Sequence, residues 1–201
     1  FDHAWGDGEI ISSKSTGNVI RHNVAAHCRR SAFTLRGGDE ARFEGNAMVN
    51  NGDGIRVMGR RHSLTGNLIL NQAGWGIYLE TGSQDGQDMV ATEGTLVAHN
   101  TIARCLAGAI GAMPVTEPRP HPPRGNEFAH NILLGDASVL SEPGRSPGTT
   151  ARRNLFWIPG RSPQPAHAGS DAVVADPRLQ GEGLSVRPAQ EGPARDIGAP
   201  A

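Results

Sequence analysis

The sequence predicts an all-β fold, a right-handed parallel β-helix in which short strands stack coil upon coil. Three observations predict it: a repeat of about 22 residues, an asparagine at one position of that repeat, and a composition rich in turn-forming residues. The chain holds 27 glycines and 14 prolines among 201 residues, while aromatic residues make up 4%. This composition is typical of many short strands and turns, and it argues against a helical bundle.

The repeat consists of six segments in which an apolar or mixed run is followed by asparagine and then by another apolar residue. The asparagines are Asn23, Asn46, Asn67, Asn100, Asn131 and Asn154. The first, second and last intervals between them are close to the repeat length, and the other two are clearly longer. Successive coils of such a repeat lie about 4.8 Å apart, the spacing of hydrogen-bonded strands. A leucine-rich repeat has a similar period, but its L-x-x-L-x-L pattern is missing from this chain.

The two long intervals each contain an insertion of about ten residues, which in a stacked repeat forms a surface loop, often beside the binding face. The first, residues 82–94, is polar and glycine-rich, and the second, residues 114–125, holds five prolines. We expect residues 1–140 to form the coils that carry the functional site. Residues 141–201 are then the last coil or coils and an irregular tail.

Asparagine suits the turn of such a coil because it tolerates the left-handed conformation and hydrogen-bonds the neighbouring backbone. Stacked asparagine side chains also bond one layer of a ladder to the next. We therefore expect the repeat asparagines to be structural. His22, His99 and His130 each precede one of them, so we expect these histidines to be outward turn residues rather than metal ligands.

Charge and cysteine usage exclude several classes of protein. Charged residues make up 19% of the chain and give a formal net charge of −1, without the basic footprint of a nucleic-acid-binding protein. No apolar run reaches the length of a membrane span, about 18 residues.

We expect Cys28 and Cys105 to be small buried side chains rather than a disulfide or metal pair. Because the chain starts at Phe1 without a leader, we expect a processed form or a fragment.

A set of basic residues follows nearly the same period. Lys14, Arg36 and Arg56 recur at intervals close to the repeat length, and Tyr78 follows after one more such interval. We expect all four to form one column on one face, with neighbours about 5 Å apart. Cations so close repel one another, which favours a column that binds an acidic polymer. Solvated surface residues that share a register by chance are the alternative. Tyr78 is expected to stack on sugar rings, and His62, which follows two arginines, to contact the polymer.

Two carboxylates precede the column. Asp7 and Glu9 face the same side of a strand because they are two residues apart. Their oxygens are ligands of the kind that Ca²⁺ prefers, although Ca²⁺ takes six to eight oxygens and needs further ligands. The presence of these two residues is explained equally well if they only neutralise the charge of the basic column. Strict alternation places Lys14 opposite Glu9, so a shared site requires a bend, expected near Ser12 or Ser13.

Three segments carry a resemblance to a known family: D-G-E-I-I-S-S-K-S-T-G-N, T-L-R-G-G and G-I-R-V-M-G-R-R-H. They resemble polysaccharide lyase family six, the family of alginate lyases and chondroitinase B, closely over residues 7–59 and more loosely to residue 201. The resemblance implies a β-elimination that removes the C5 proton of a uronate and expels the 4-linked sugar. It implies alginate ahead of chondroitin or dermatan sulfate as substrate, and a periplasmic or secreted location.

By this resemblance Lys14 is the base and Arg36 the acid or its assistant. Asp7 and Glu9 are Ca²⁺ ligands, and Arg56 binds substrate.

The chain departs from the family pattern in ways that bear on this expectation. Asp7 stands where the family usually has Glu, and Gly37 replaces a histidine. The family also has several coils upstream, including an asparagine ligand, so the chain alone is expected to bind calcium poorly. Two other functions fit the residues: a non-catalytic β-helix that binds carbohydrate or serves as a structural module, and a β-helix uronate C5-epimerase.

Overall fold

A computed structural model describes residues 1–4, 8–86, 89–137, 145–161, 171–195 and 197. These residues form short β-strands and one 3₁₀ turn at Gly183–Ser185. The strands are β1 (Glu9–Ser13), β2 (Val19–Arg21), β3 (Val24–Ala26), β4 (Ser31–Leu35), β5 (Arg42–Glu44), β6 (Ala47–Val49), β7 (Ile55–Val57), β8 (Ser63–Thr65), β9 (Leu68–Leu70), β10 (Trp75–Leu79), β11 (Leu96–Ala98), β12 (Thr101–Ala103), β13 (Gly108–Ala112), β14 (Glu127–Ala129), β15 (Ile132–Leu134), β16 (Thr150–Arg152), β17 (Leu155–Trp157), β18 (Val173–Val174), β19 (Leu179–Gln180) and β20 (Arg187–Pro188).

Three parallel sheets make up the stacked coils. The first has the order β1-β4-β7-β10-β13, the second β16-β14-β11-β8-β5-β2, and the third β18-β17-β15-β12-β9-β6-β3. A complete coil thus adds one strand to every sheet. This confirms the predicted right-handed parallel β-helix. Beyond residue 140, β16 to β18 continue two of the sheets, and β19 and β20 form a separate antiparallel pair.

Strand register reproduces the period seen in the sequence. In the first sheet Phe33 pairs with Ile55 and Ile55 with Ile77, so each of these steps equals the predicted repeat length. The next step joins Ile77 to Ile110 and is longer because it contains the first insertion. The additional residues leave the coil as a loop, so the strands on either side remain in register.

The core is built from rows of apolar side chains that point into the coil, with every one of the three sheets contributing. The first sheet contributes Phe33, Ile55, Ile77 and Ile110, the second Phe43, Leu64, Val97 and Phe128, and the third Met48, Ile69, Ile102, Leu133 and Phe156. All of these are 0% exposed. Burying each large apolar side chain contributes about 1.5–3 kcal/mol to the free energy of folding, relative to leaving it exposed. Stacking extends this core from coil to coil.

The repeat asparagines form a hydrogen-bonded ladder, as expected from the sequence. The amide Nδ2 and the backbone N–H of Asn46 both donate to Oδ1 of Asn67, at 3.1 and 2.9 Å. The same two bonds join Asn67 to Asn100, Asn100 to Asn131 and Asn131 to Asn154. These buried amides satisfy backbone groups that the turn leaves without a strand partner.

Two stacks of left-handed residues mark the corners on either side of the third sheet. The first contains His22, Gly45, Gly66, His99, His130 and Arg153, with φ between 50° and 66°. The second contains His3, His27, Asn50, Asn71 and Arg104, with φ between 51° and 58°. As expected, His22 and His99 are exposed turn residues, while His130 is half-buried. The corner geometry therefore stacks residues of successive coils directly on one another.

Both cysteines are free and buried, as the sequence predicts. Burial raises the pKa of the Cys105 thiol to about 12, which keeps it protonated and inert. The described residues contain no helix long and apolar enough to cross a membrane.

Candidate functional site

A polar groove of about 350 Å³ lies on the outer face of the first sheet, at the end where β1 and β4 meet. It is lined by Gly8, Glu9, Ser12, Lys14, Arg36 and Arg56. Four of the predicted site residues therefore do come together: one carboxylate, the lysine and two arginines. Residues from three successive coils contribute to the groove.

The basic residues form two adjacent rows rather than the single expected column. Lys14 and Arg36 directly follow the paired residues Ser13 and Leu35, so they are neighbours on successive coils. Arg56, in contrast, pairs with Thr34, two residues before Arg36. The expected alignment of Arg36 with Arg56 is wrong because the interval between them is two positions shorter than the strand repeat. An offset of two keeps a side chain on the same face of a strand, so Arg56 still faces the groove.

Glu9 connects the two rows. Its Oε1 lies 3.2 Å from Nη1 of Arg36 and 3.8 Å from Nη1 of Arg56, and its side chain is only 13% exposed. Ile10 and Ile11 are consecutive, yet both pack against the core. Alternation is therefore broken at these two residues, earlier than the bend expected near Ser12 or Ser13, and Glu9 shares the groove with Lys14.

Lys14 is exposed at the edge of the groove. No carboxylate of the described chain lies within ion-pair distance of its amine. It is also the single lysine in the sequence, since every other member of the Lys and Arg set is an arginine. That compositional signal is visible in the sequence and sets Lys14 apart from every other cation.

Glu80 also belongs to this face, although the sequence did not predict it. This glutamate directly follows β10 and is 1% exposed. Its Oε1 accepts a 2.6 Å hydrogen bond from Nε of Arg56, and its Oε2 lies 3.3 Å from Nη1 of Arg119 in the second insertion. The signal that could have found it is its place two residues after Tyr78, on the face that carries Arg56.

Tyr78 lies where the sequence predicts, one coil above Arg56. The two residues pair in register, and the guanidinium carbon of Arg56 is 5.8 Å from the centre of the tyrosine ring. This is within cation–π range. The tyrosine ring therefore lies beside Arg56, on the next coil of the same sheet.

The position of His62 argues against the expected contact with polymer. The residue is 2% exposed. Its Nδ1 accepts a 3.1 Å bond from the backbone N–H of Ala41, and its Nε2 lies 2.9 Å from the carbonyl oxygen of Met58. Both ring nitrogens are thus used inside the turn, which indicates a structural role at the corner rather than a surface role. The chain folds this histidine inward although two arginines precede it.

Calcium stays a prediction. Asp7 lies outside the described residues, so the expected pair with Glu9 is not seen. Of the groove lining, Glu9 is the one carboxylate in the described part, and two guanidinium groups engage it. One such carboxylate does not make a shell of six to eight oxygens. The described residues alone do not fit a calcium ion.

The charge of this face favours an anionic ligand. Its cations are Lys14, Arg36, Arg56 and Arg119, and its carboxylates are Glu9 and Glu80. Four positive and two negative groups leave an excess of two positive charges among the described side chains. Clefts lined by one sign of charge raise the local concentration of oppositely charged ligands.

Comparisons with known proteins agree with the fold. A family model described as periplasmic copper-binding protein (NosD) matches residues 5–102, slightly less than half of the chain. Among solved structures, the chain is similar to a mannuronic acid specific polysaccharide family 6 lyase from the human gut microbiota, with a TM-score of 0.55 and 16% sequence identity. The alignment covers 80% of this chain and 48% of the lyase. No curated protein matches the chain. At this identity the likeness shows the β-helix fold.

Proposed function

We propose that the groove binds an acidic, uronate-containing polysaccharide and cleaves it by β-elimination, with Lys14 as the base. One observation carries the proposal: the single lysine of the protein lies beside Arg36 in a groove whose cations outnumber its carboxylates. A lysine amine accepts a proton when it is neutral, whereas a guanidinium does not give its proton up in proteins. Among the described side chains of this face, Lys14 is therefore the one basic group suited to proton abstraction.

Arg36 and Arg56 bind the uronate carboxylate in this mechanism. A guanidinium presents a planar fork of donors that matches a carboxylate, and hydrogen bonding to that group makes the adjacent C5–H more acidic. Lys14 then takes the C5 proton, and the electrons of the C5–H bond form a double bond between C4 and C5. The bond from C4 to the leaving oxygen breaks with its electrons on that oxygen.

Arg36 assists the leaving oxygen as a hydrogen-bond donor rather than as a proton source. Because its own proton is retained, the oxygen is protonated by solvent or by the ammonium formed on Lys14. Of the two roles that the sequence left open for Arg36, acid or assistant, we therefore propose the assistant. Tyr78 and Arg119 continue the same face along the stack, where neighbouring sugars of a polymer bind.

Alginate is the proposed substrate, ahead of chondroitin and dermatan sulfate. The mannuronate specificity of the structurally similar lyase supports this choice. A periplasmic or secreted location is supported by the periplasmic description of the matching family. Calcium is proposed as a further aid that depends on Asp7, and no step above is routed through it.

The test compares wild type, Lys14→Arg and Lys14→Ala on polymannuronate, with the absorbance of the unsaturated uronate as the readout. Both substitutions should lower the rate at least about 100-fold, the contribution typical of a positioned general base. Lys14→Arg should still bind polymer because it keeps the positive charge. Arg42→Ala, a change at an exposed arginine of the second sheet, is the matched control and should keep the wild-type rate.

The outcomes separate the alternative functions. An unchanged rate in Lys14→Arg would show that Lys14 is not the base. Polymer binding without an unsaturated product, weakened by Arg56→Ala, would assign a non-catalytic binding module. A changed ratio of uronate epimers in the recovered polymer, again without unsaturation, would assign a C5-epimerase.

A further inference from the structure

A second cluster of polar side chains lies outside the groove, at the corner that follows the third sheet. It consists of Asp2, His3 and His27, which offer three ligand atoms within 4.8 Å of one another. All three side chains are well exposed, at 67%, 70% and 47%. None of them contributes to the lyase groove.

The coil geometry brings these residues together. Residues 1–3 run alongside β3: the N–H of Ala26 donates to the carbonyl oxygen of Phe1 at 2.9 Å, and the N–H of His3 donates to that of Ala26 at 3.0 Å. His3 therefore occupies the position directly above His27 in the second left-handed stack. Their rings are 4.9 Å apart and inclined by 25°.

The ligand atoms converge on one carboxylate oxygen. Nδ1 of His3 lies 2.9 Å and Nδ1 of His27 lies 3.0 Å from Oδ1 of Asp2. Both separations are those of hydrogen bonds, so the carboxylate holds the two imidazole nitrogens beside one of its oxygens. Imidazole nitrogen is a typical ligand of Zn²⁺, Cu²⁺ and Ni²⁺.

We propose that Asp2, His3 and His27 form a surface site for a divalent transition-metal ion, with Cu²⁺ bound most tightly. Two imidazoles and one carboxylate supply three ligands, and water fills the remaining positions. Divalent ions on such ligands follow an affinity order that peaks at Cu²⁺. The exposed position lets the ion enter without displacing any buried side chain.

A second histidine pair shows that stacking alone does not make such a site. His99 and His130 stack in the other corner at 5.0 Å and 5°. There Nδ1 of His130 lies 3.0 Å from the carbonyl oxygen of Ile197, and its Nε2 lies 3.1 Å from Arg152. In the part of the chain that the structure describes, no carboxylate joins this pair to form a group of three ligands. His99→Ala is therefore a matched control.

The experiment titrates Cu²⁺, Ni²⁺ and Zn²⁺ into the untagged chain by calorimetry and records the electron paramagnetic resonance spectrum of the Cu²⁺ complex. The amino terminus is acetylated, because a free amine on Phe1, two residues before His3, would itself bind the metal. We expect one equivalent of Cu²⁺ with an axial spectrum and hyperfine coupling to two imidazole nitrogens. Asp2→Asn and His27→Ala should each weaken binding at least tenfold, while His99→Ala should leave it unchanged.

Equal Cu²⁺ affinity in wild type and His27→Ala would overturn the site, and tighter binding of Zn²⁺ than of Cu²⁺ would overturn the proposed preference for Cu²⁺. Melting temperatures without metal show whether each variant is folded. Asp2→Asn preserves the size of an exposed side chain, so it decides the question even if His27→Ala lowers the folded fraction. The lyase assay is not used, so the metal site and the proposed reaction stand or fall separately.

Discussion

Arg56 donates a hydrogen bond of 2.6 Å from Nε to Oε1 of Glu80, a carboxylate that is only 1% exposed. On its other side, Nη1 of Arg56 lies 3.8 Å from Oε1 of Glu9. The guanidinium is thus held between carboxylates contributed by coils on both sides of its own. Because its orientation is already fixed, less conformational entropy would be lost if it binds a substrate carboxylate, as proposed.

Removing the charge of Glu80 tests this positioning role. In Glu80→Gln the charge-assisted bond to Arg56 becomes a neutral one, which is weaker by about 1–1.5 kcal/mol. We expect KM for the polymer to rise about tenfold, with a smaller change in kcat, because Lys14 and Arg36 are not altered. Initial rates over a range of polymer concentrations separate the two constants.

Glu93→Gln is the matched control for that measurement. Glu93 pairs with Arg60 and Arg124 in the neighbouring corner, so its substitution also removes a carboxylate shared by two arginines. An equal rise in KM for both variants would show a general effect of charge rather than positioning of Arg56.

Calcium removal tests the part that Asp7 is predicted to take. If Asp7 and Glu9 hold Ca²⁺, chelation should lower the rate and added Ca²⁺ should restore it, and Asp7→Asn should raise the Ca²⁺ concentration required. Mg²⁺, which demands a smaller octahedral shell, is the control ion. A rate that responds to neither chelator nor Asp7→Asn would leave neutralisation of the substrate to Arg36 and Arg56.

The period of the repeat was enough to predict the fold, the asparagine ladder and the position of Lys14 beside Arg36 on the next coil. It was not enough to place Arg56, because side chains on a strand alternate with a period of two. A residue that follows another by one full repeat therefore lies in the same row. A residue that follows two positions sooner lies on the same face but in the neighbouring row. Only the pairing of β4 with β7 distinguishes the two.

The burial of His62 and of Glu80 depends on how the corner after the first sheet closes. His62 points inward because the N–H of Ala41 and the carbonyl of Met58 need partners there. Glu80 is covered because Arg119 comes back to it from the second insertion, far along the chain. Neither contact follows from local pattern, since each joins segments whose relative position is set by the coil.

The stability of the fold should depend on the protonation of His62. Burial lowers the pKa of this imidazole below its ordinary 6.5, and its Nδ1 can accept the bond from Ala41 only while unprotonated. Below pH 6.5 the unfolded chain binds a proton at this residue that the native state resists. The free energy of unfolding should therefore be unaffected above that pH and fall as the pH drops towards the lower native pKa.

Melting temperatures of wild type and His62→Asn, measured between about pH 8 and pH 5, check this prediction around the ordinary histidine pKa. The variant should be less stable than wild type at the upper end of this pH range, but its melting temperature should fall less on acidification. Taking the difference in melting temperature between the two proteins at each pH cancels the contribution of the exposed histidines. Parallel curves would mean that His62 is not the group that titrates.

The asparagine ladder should carry more stability at its centre than at its first rung. In Asn100→Ala the backbone and side-chain donors of Asn67 lose their acceptor, and the carbonyl of Leu64 loses its donor. Each buried polar group left without a partner costs about 1–3 kcal/mol. We expect the free energy of unfolding to fall by about 3 kcal/mol or more, the lower end of that range summed over these groups.

Asn23→Ala is the matched comparison at the first rung. Asn23 is half-buried, and its amide donates to Asn46 and to the carbonyl of Arg21. Since solvent can replace these partners, we expect a loss of about 1 kcal/mol. Denaturant unfolding of both variants gives the two values. Equal losses would show that the ladder acts only as a local turn bond, whereas a larger loss for Asn100→Ala shows that each rung supports the coils on both of its sides.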